Sequence, residues 1–179
     1  MVPTFETERL FLRPWEPADV DFVFDLYSRP EVQRFIGQVP RVMKDRAEAR
    51  ERLERMIALH DPVLGYWAVG RRQTGELIGT IPLKPIPASG PTEPLEASGD
   101  IEIGWHLHPN AWGNGFATEA AARVLAHAFL SGLQRVVAVT NPANYASQAV
   151  CARIGMVPEG LTDRYYNATC ELFVATGRG

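Results

Sequence analysis

Apolar and polar positions along this chain fall into short alternating runs and longer helical stripes. Glu8 to Arg13 alternates around Leu10 and Leu12 and predicts a first strand. Pro17 sets φ for a helix start, and Val20, Val23, Phe24 and Tyr27 mark the buried face of that helix, which Arg29-Pro30 breaks. A second helix is predicted from Lys44 to Leu59, with Leu53, Met56 and Ile57 inward. Tyr66 to Gly70 and Glu76 to Leu83 read as two strands joined by the polar turn Arg71-Arg72-Gln73-Thr74-Gly75. Lys84 to Gly99 carries prolines at 85, 87, 91 and 94, and this density predicts an extended, mobile loop. It forms either one lip of a substrate site or a plain solvent loop.

From Asp100 to Leu107 the alternation is strict: Ile101, Ile103, Trp105 and Leu107 on one side, Glu102, Gly104 and His106 on the other. Pro109 ends this strand because proline brings no amide to a ladder. From Phe116 the period becomes helical, with Ala117, Ala120, Ala121, Val124, Leu125, Ala128 and Phe129 in one stripe. Arg135 to Thr140 is an almost continuous β-branched run, suited to a strand buried on both faces. Asn144 opens a helix that closes at Ile154-Gly155. Val157 to Leu161 and Thr169 to Ala175 complete the sheet, and Gly177 to Gly179 reads as a frayed tail.

Between the strand and the helix lies Trp112-Gly113-Asn114-Gly115. The first amides of a helix lack partners and carry partial positive charge. Glycines before them let an anion reach bare backbone, so this turn is either a diphosphate cradle or a tight turn that binds nothing. A P-loop would need Lys and Ser or Thr after the second glycine, where Phe116 and Ala117 stand. The dinucleotide fingerprint would need glycine at Thr118.

At 179 residues the chain suits one domain, residues 1–179, with a core of its own. A net charge of −3 and a pI near 5.8, with no basic block, argue against nucleic acid as the main partner. Two cysteines, Cys151 and Cys170, form no disulfide framework and suggest a reducing compartment; each reads as a small buried thiol. No apolar run approaches a membrane span and no signal pattern opens the chain, so a cytoplasmic location is expected, with no membrane partner.

The segment GWHLHPNAWGNGFATEA, centred on Gly113-Asn114-Gly115, resembles the acetyl-CoA signature of the GNAT superfamily of N-acetyltransferases. NPANYASQAVCARIGMVPEG, from Asn141 to Gly160, resembles the second signature of the branch holding the ribosomal-protein N-terminal acetyltransferases, an Asn-x-x-Ser helix ending in Gly-hydrophobic. The likeness extends loosely from TERLFLRPW to Glu171-Leu172-Phe173. It implies a mixed α/β GNAT fold, with a mostly antiparallel sheet flanked by helices and opening into a V after the Asp100 strand. Acetyl-CoA would lie in the V, against Leu107, His108, Trp112, Gly113, Asn114, Gly115, Phe116, Ala117, Thr118, Asn144 and Ser147.

Acetyl transfer from a thioester to an amine requires the amine to lose a proton, the oxyanion to meet donors, and the departing thiolate to gain a proton. Ser147 is the candidate acid, and Tyr145 beside it a second choice. The tyrosine that many relatives carry seven residues after Asn144 is Cys151 here. Asn144 either caps its helix, binds the pantetheine arm, or does both. Glu102 is the candidate base, acting through water on a partly desolvated strand; a structural salt bridge, or no base at all for an amine of low pKa, are the alternatives. A backbone amide near Leu107 and His108 would meet the oxyanion. His106 and His108 share a strand face without a third metal-binding partner, so substrate contact or packing is expected and no metal. Tyr165 and Tyr166 either border the acceptor or pack in the core. Asn110 stands where the family has Gln or Arg, leaving the diphosphate to backbone amides.

The expected reaction is direct acetyl transfer to a primary amine, either a peptide or protein N-terminal α-amine or a small-molecule amine, in a ternary complex. The alternative is a non-catalytic acetyl-CoA-binding sensor or scaffold. A monomer or homodimer is expected.

Overall fold

The structure is a computed structural model that describes residues 2–37 and 39–177; the expected tail at Arg178 and Gly179 lies outside the described residues. Nine strands form one sheet: β1 (Phe5–Glu6), β2 (Leu10–Pro14), β3 (Gly65–Arg71), β4 (Leu77–Pro87), β5 (Ala97–Ile103), β6 (His106–Leu107), β7 (Arg135–Thr140), β8 (Val157–Tyr165) and β9 (Ala168–Thr176). Their order is β1-β2-β3-β4-β5-β7-β9-β8, with β6 continuing alongside β4. Every pairing is antiparallel except β5 with β7.

Helices α4 (Phe116–Leu130) and α5 (Tyr145–Arg153) cover one face. There the alanine stripe of α4 meets Trp67, Val69, Ile81, Leu83, Ile103, Val136 and Ala138. Helices α1 (Val20–Tyr27), α2 (Pro30–Gln33) and α3 (Arg46–Ala58) cover part of the other face, burying Val23, Leu26, Leu53 and Met56 against Ala68. The RVVAVT strand is buried on both faces as expected: Val136 and Ala138 join the first core, while Val137 packs with Ile86, Leu172 and Val174 on the second face.

The sheet parts in its middle. β5 meets β7 through a single register pair, Glu102 with Val137. The expected strand Asp100–Leu107 is split at Gly104-Trp105, and proline is the cause. The register places Gly104 opposite Pro82, and the Gly104 amide donates to Pro82 O at 3.0 Å. Pro82 has no N–H to return, so the ladder is half-made there. β6 regains β4 but, among the described residues, pairs with nothing on its other side.

The region 84–99 differs from the mobile loop expected. β4 continues through Pro87 and β5 begins at Ala97, with the Ala88 amide donating to Glu96 O at 2.8 Å. Pro85 is tolerated because its missing amide points to the β3 side, and β3 has already ended at the Gly65–Leu83 pair. The hairpin tip is tied to the end of β8 through the Ser89 amide on Arg164 O, 2.7 Å. The last two strands run longer than the sequence pattern predicts, β8 through Tyr165 and β9 from Ala168, and are joined by a two-residue turn with Tyr166 (φ 58°) and Asn167 (φ 51°) both left-handed.

Tyr165 is 1% exposed and packs with Ile86 and Leu172, so it is a core residue rather than an acceptor contact. Its hydroxyl donates to Asp100 Oδ2 at 2.6 Å, and Asp100 also pairs with Arg135. Burial pushes the Asp100 carboxyl up, but these two partners outweigh it and hold it below the ordinary value. We expect Tyr165→Phe to lower stability by about 1–3 kcal/mol in urea unfolding at neutral pH. A depressed carboxyl contributes stability that is present above its unfolded pKa and lost as pH falls. The gap between wild type and variant should therefore narrow below about pH 4.

Candidate active site

The end of β6 leads through a short 3-10 turn (Pro109–Ala111) to the glycine turn. Gly113 and Gly115 have φ of 74° and 76°, a conformation in which a side chain is strained, and nothing lies within 4 Å of where a Gly113 Cβ would stand. The Trp112 indole donates to Leu107 O at 2.8 Å, tying the turn to the strand. Asn114 bends its side chain back to Trp112 O at 2.8 Å, so it stiffens the loop from within. The first helical bond is Glu119 N to Gly115 O, 3.0 Å, so the amides of Phe116, Ala117 and Thr118 precede the helical ladder at the helix start. Thr118 Oγ1 is buried beside them without a partner.

Two guanidinium groups that sequence reasoning did not single out sit at this turn. Arg9 donates to Asn114 O at 2.9 Å and pairs with Glu119 at 2.6 Å; Arg71 donates to Asn110 O at 3.2 Å. Both lie over the Phe116 ring, at 4.6 and 5.4 Å from its centre. Arg9 lies just before β2 and Arg71 ends β3, both far away in sequence, and Arg71 reads from sequence only as part of a hairpin turn. Burial raises the Glu119 carboxyl, but bonds from Thr7 and Arg9 outweigh it, leaving it low and ionised.

Where the sheet parts, the Trp105 indole reaches across and donates to Ser147 Oγ at 2.9 Å. The Ser147 amide is capped by Asn144 Oδ1 at 3.2 Å, the N-cap role expected of Asn144. With its oxygen accepting from Trp105, the Ser147 hydroxyl keeps its own proton to give. Leu107, between two residues that face β4, turns its amide the other way by the period of the strand. The His108 amide does not share this: it donates to Ile78 O at 2.8 Å and is spent in the sheet, which corrects the expectation that it joins the oxyanion donors. Thr140, at the end of β7 and 6% exposed, leaves its Oγ1 without a partner among the described residues. Its plain position in an apolar run gave no signal.

On the opposite face, Glu102 is engaged. Its Oε2 accepts from Lys84 Nζ at 3.0 Å and from the Tyr166 hydroxyl, while Lys84 Nζ is 2.6 Å from that hydroxyl. Burial, and then the Glu102 charge, push the Tyr166 phenol well above its usual value. These contacts hold Tyr166 in its left-handed conformation, which is uncommon for an aromatic residue. The Tyr27 hydroxyl is 2.8 Å from His106 Nδ1. Burial, with the charges of Arg52 and Lys84, drives His106 down to about 3, so the ring is neutral at physiological pH. His108 is buried and points away, with Nε2 3.1 Å from Asp25 Oδ2 and Nδ1 accepting from the Asn110 amide at 3.2 Å. The two histidines therefore serve different partners. Tyr145 is 75% exposed on the first turn of α5.

Ser147 and Glu102 thus flank the same strand from opposite faces.

Residues 9–157 match the acetyltransferase (GNAT) domain family. The uncharacterized N-acetyltransferase YoaA of Bacillus subtilis is 32% identical over 92% of this chain and 89% of its own. An FsC-acetyl coenzyme A-N(2)-transacetylase of Aspergillus fumigatus is 31% identical over 86% of this chain and 65% of its own. Among solved structures, an acetyltransferase of Agrobacterium tumefaciens superposes with a TM-score of 0.77 at 28% identity, covering 98% of this chain and 95% of that one. A ribosomal L7/L12 α-N-protein acetyltransferase in complex with coenzyme A gives 0.78 at 17% identity and 98% coverage of both, a likeness of fold alone. The parted sheet, the glycine turn and these relatives agree: the chain belongs to the GNAT family of acetyl-CoA-dependent N-acetyltransferases.

Proposed function

We propose that this protein transfers the acetyl group of acetyl-CoA directly to a primary amine in a ternary complex. The observation that carries the reading is the Trp105–Ser147 contact across the parted sheet, 2.9 Å. It leaves the Ser147 hydroxyl an acceptor towards Trp105, which supports a reading in which its own proton is available to the leaving thiolate.

In this reading the diphosphate sits on the amides of Phe116, Ala117 and Thr118, with Gly113 and Gly115 giving access and Arg71 adding charge. That arrangement replaces the side chain which Asn110 is too short to supply. The amine nitrogen attacks the thioester carbonyl, and the oxyanion accepts a hydrogen bond from the Leu107 amide. As the C–S bond breaks, the thiolate takes a proton from Ser147 directly or through water, and Ser147 regains one from solvent. The amine's proton leaves through water. Glu102 receives it on Oε1, the oxygen opposite the one bound by Lys84 and Tyr166; an α-amine of lower pKa asks less of it.

The acceptor class is an N-terminal α-amine or a small-molecule amine. The resemblance of Asn144 and Ser147 to the Asn-x-x-Ser branch supports the first; the fungal relative named for an N(2)-transacetylation supports the second. The rival, a sensor without turnover, is favoured by Asn110 and Cys151 standing where the family has other side chains.

Release of free coenzyme A thiol at about pH 8, with peptides, polyamines and amino sugars as acceptors, tests the reading. Release is expected with one class, and Ser147→Ala should slow it about 10²-fold without loss of acetyl-CoA affinity. Binding without release from any class would favour the sensor. Gly115→Asp should weaken acetyl-CoA binding at least about tenfold, by strain at positive φ and by like charge near the diphosphate. Unchanged affinity in a calorimetric titration would remove the turn from the site.

A further inference from the structure

A surface cleft of about 380 Å³ is lined among others by Gln33, Arg41, Glu48, Glu51, Arg52 and Arg55. Its charges are unevenly used. Arg41 pairs with Glu48, which also accepts from the Lys44 amide at 3.2 Å. Among the described residues no carboxylate lies within ion-pair distance of Arg52 or Arg55, and Arg52 Nε is buried with no acceptor. Arg52 is held in place by its stem on α3 and by an aromatic plane: its guanidinium carbon is 3.7 Å from the centre of the Tyr27 ring.

That stacking gives the cavity an address. The Tyr27 hydroxyl is on His106, and His106 adjoins Leu107, the edge proposed to meet the oxyanion. One tyrosine ring therefore separates the Arg52 fork from the strand residue beside the reaction point. Burial pushes the Tyr66 phenol up to about 12 against the opposing pull of the Arg52 charge. Glu102 pairs with Lys84 at 3.0 Å and, among the described residues, forms no ion pair with Arg52 or Arg55.

We propose that the acceptor carries an anionic group, a carboxylate, which the stacked Arg52 guanidinium binds with Arg55 at the rim while the amine lies in the gap by Leu107. A planar fork without a partner, fixed on an aromatic face, matches a carboxylate in two parallel hydrogen bonds. The acceptor class is thus an amino acid or a peptide with an acidic residue near its N-terminus, in preference to polyamines. This inference rests on the acetyl-transfer reading.

The test uses matched amines of which only one member carries a carboxylate: Ser-Asp amide against Ser-Asn amide, and alanine against alaninamide, with saturating acetyl-CoA. Wild type should favour the carboxylate member by about tenfold or more in kcat/KM. Arg52→Gln should erase the preference by lowering only the carboxylate rate, with Arg52→Lys intermediate and acetyl-CoA affinity unchanged. Equal use of both members by wild type, or a preference surviving in Arg52→Gln, overturns the inference while leaving acetyl transfer intact. Absence of all turnover instead contradicts the acetyl-transfer reading. In that case calorimetric titration of Ser-Asp amide against Ser-Asn amide, with wild type and Arg52→Gln, still decides whether Arg52 binds the carboxylate.

Discussion

The structure turns on one missing hydrogen-bond donor. Pro82 stands in the middle of β4, opposite Gly104, and cannot return the bond that Gly104 gives it. The strand that would have run unbroken from Ala97 to Leu107 is interrupted, and its far half turns its outer edge to a gap instead of to β7. A continuous ladder would bury that edge. An interrupted one leaves backbone polar groups facing a space that must hold a partner, because such groups are costly when left unmet. The gap is thus both a defect in the sheet and the place where a thioester carbonyl can be received.

Several features follow from the gap. α4 starts where β6 ends, so its first amides lie at the mouth, with glycines in the left-handed conformation stripping side chains away. Trp105 spans the opening to Ser147, so the hydroxyl proposed as acid is oriented by the same strand that is proposed to supply the oxyanion donor. On the reverse side, Lys84, Glu102 and Tyr166 tie the last hairpin to the middle of the sheet. The two faces proposed for the thioester and the amine are thereby separated by a single strand.

Much of this was legible in the chain. The alternation from Ile101 to Leu107, the alanine stripe of α4 and the β-branched run 135–140 each report a local period, and local periods are what sequence patterns encode. What escaped depended on partners far away. Proline density between 84 and 99 suggested disorder, yet Pro85 is harmless once β3 has ended, a fact of register. Tyr165 and Tyr166 are adjacent and alike, but one is sealed beside Asp100 and the other reaches Lys84 and Glu102; only the hairpin geometry separates them. Arg9, Arg71 and Arg52 carry no local signature at all, since their meaning comes from the turn, ring or cavity they meet. His108 looked equivalent to His106, and the Asp25 carboxylate on α1 decides otherwise.

The most direct measurement is a crystal structure with coenzyme A bound. The account predicts the diphosphate on the amides of Phe116 to Thr118, the pantetheine arm in the gap between β6 and β7, and the thiol sulfur within hydrogen-bond reach of Ser147 Oγ. A coenzyme A lying outside the gap, or a sulfur directed away from Ser147, would contradict it.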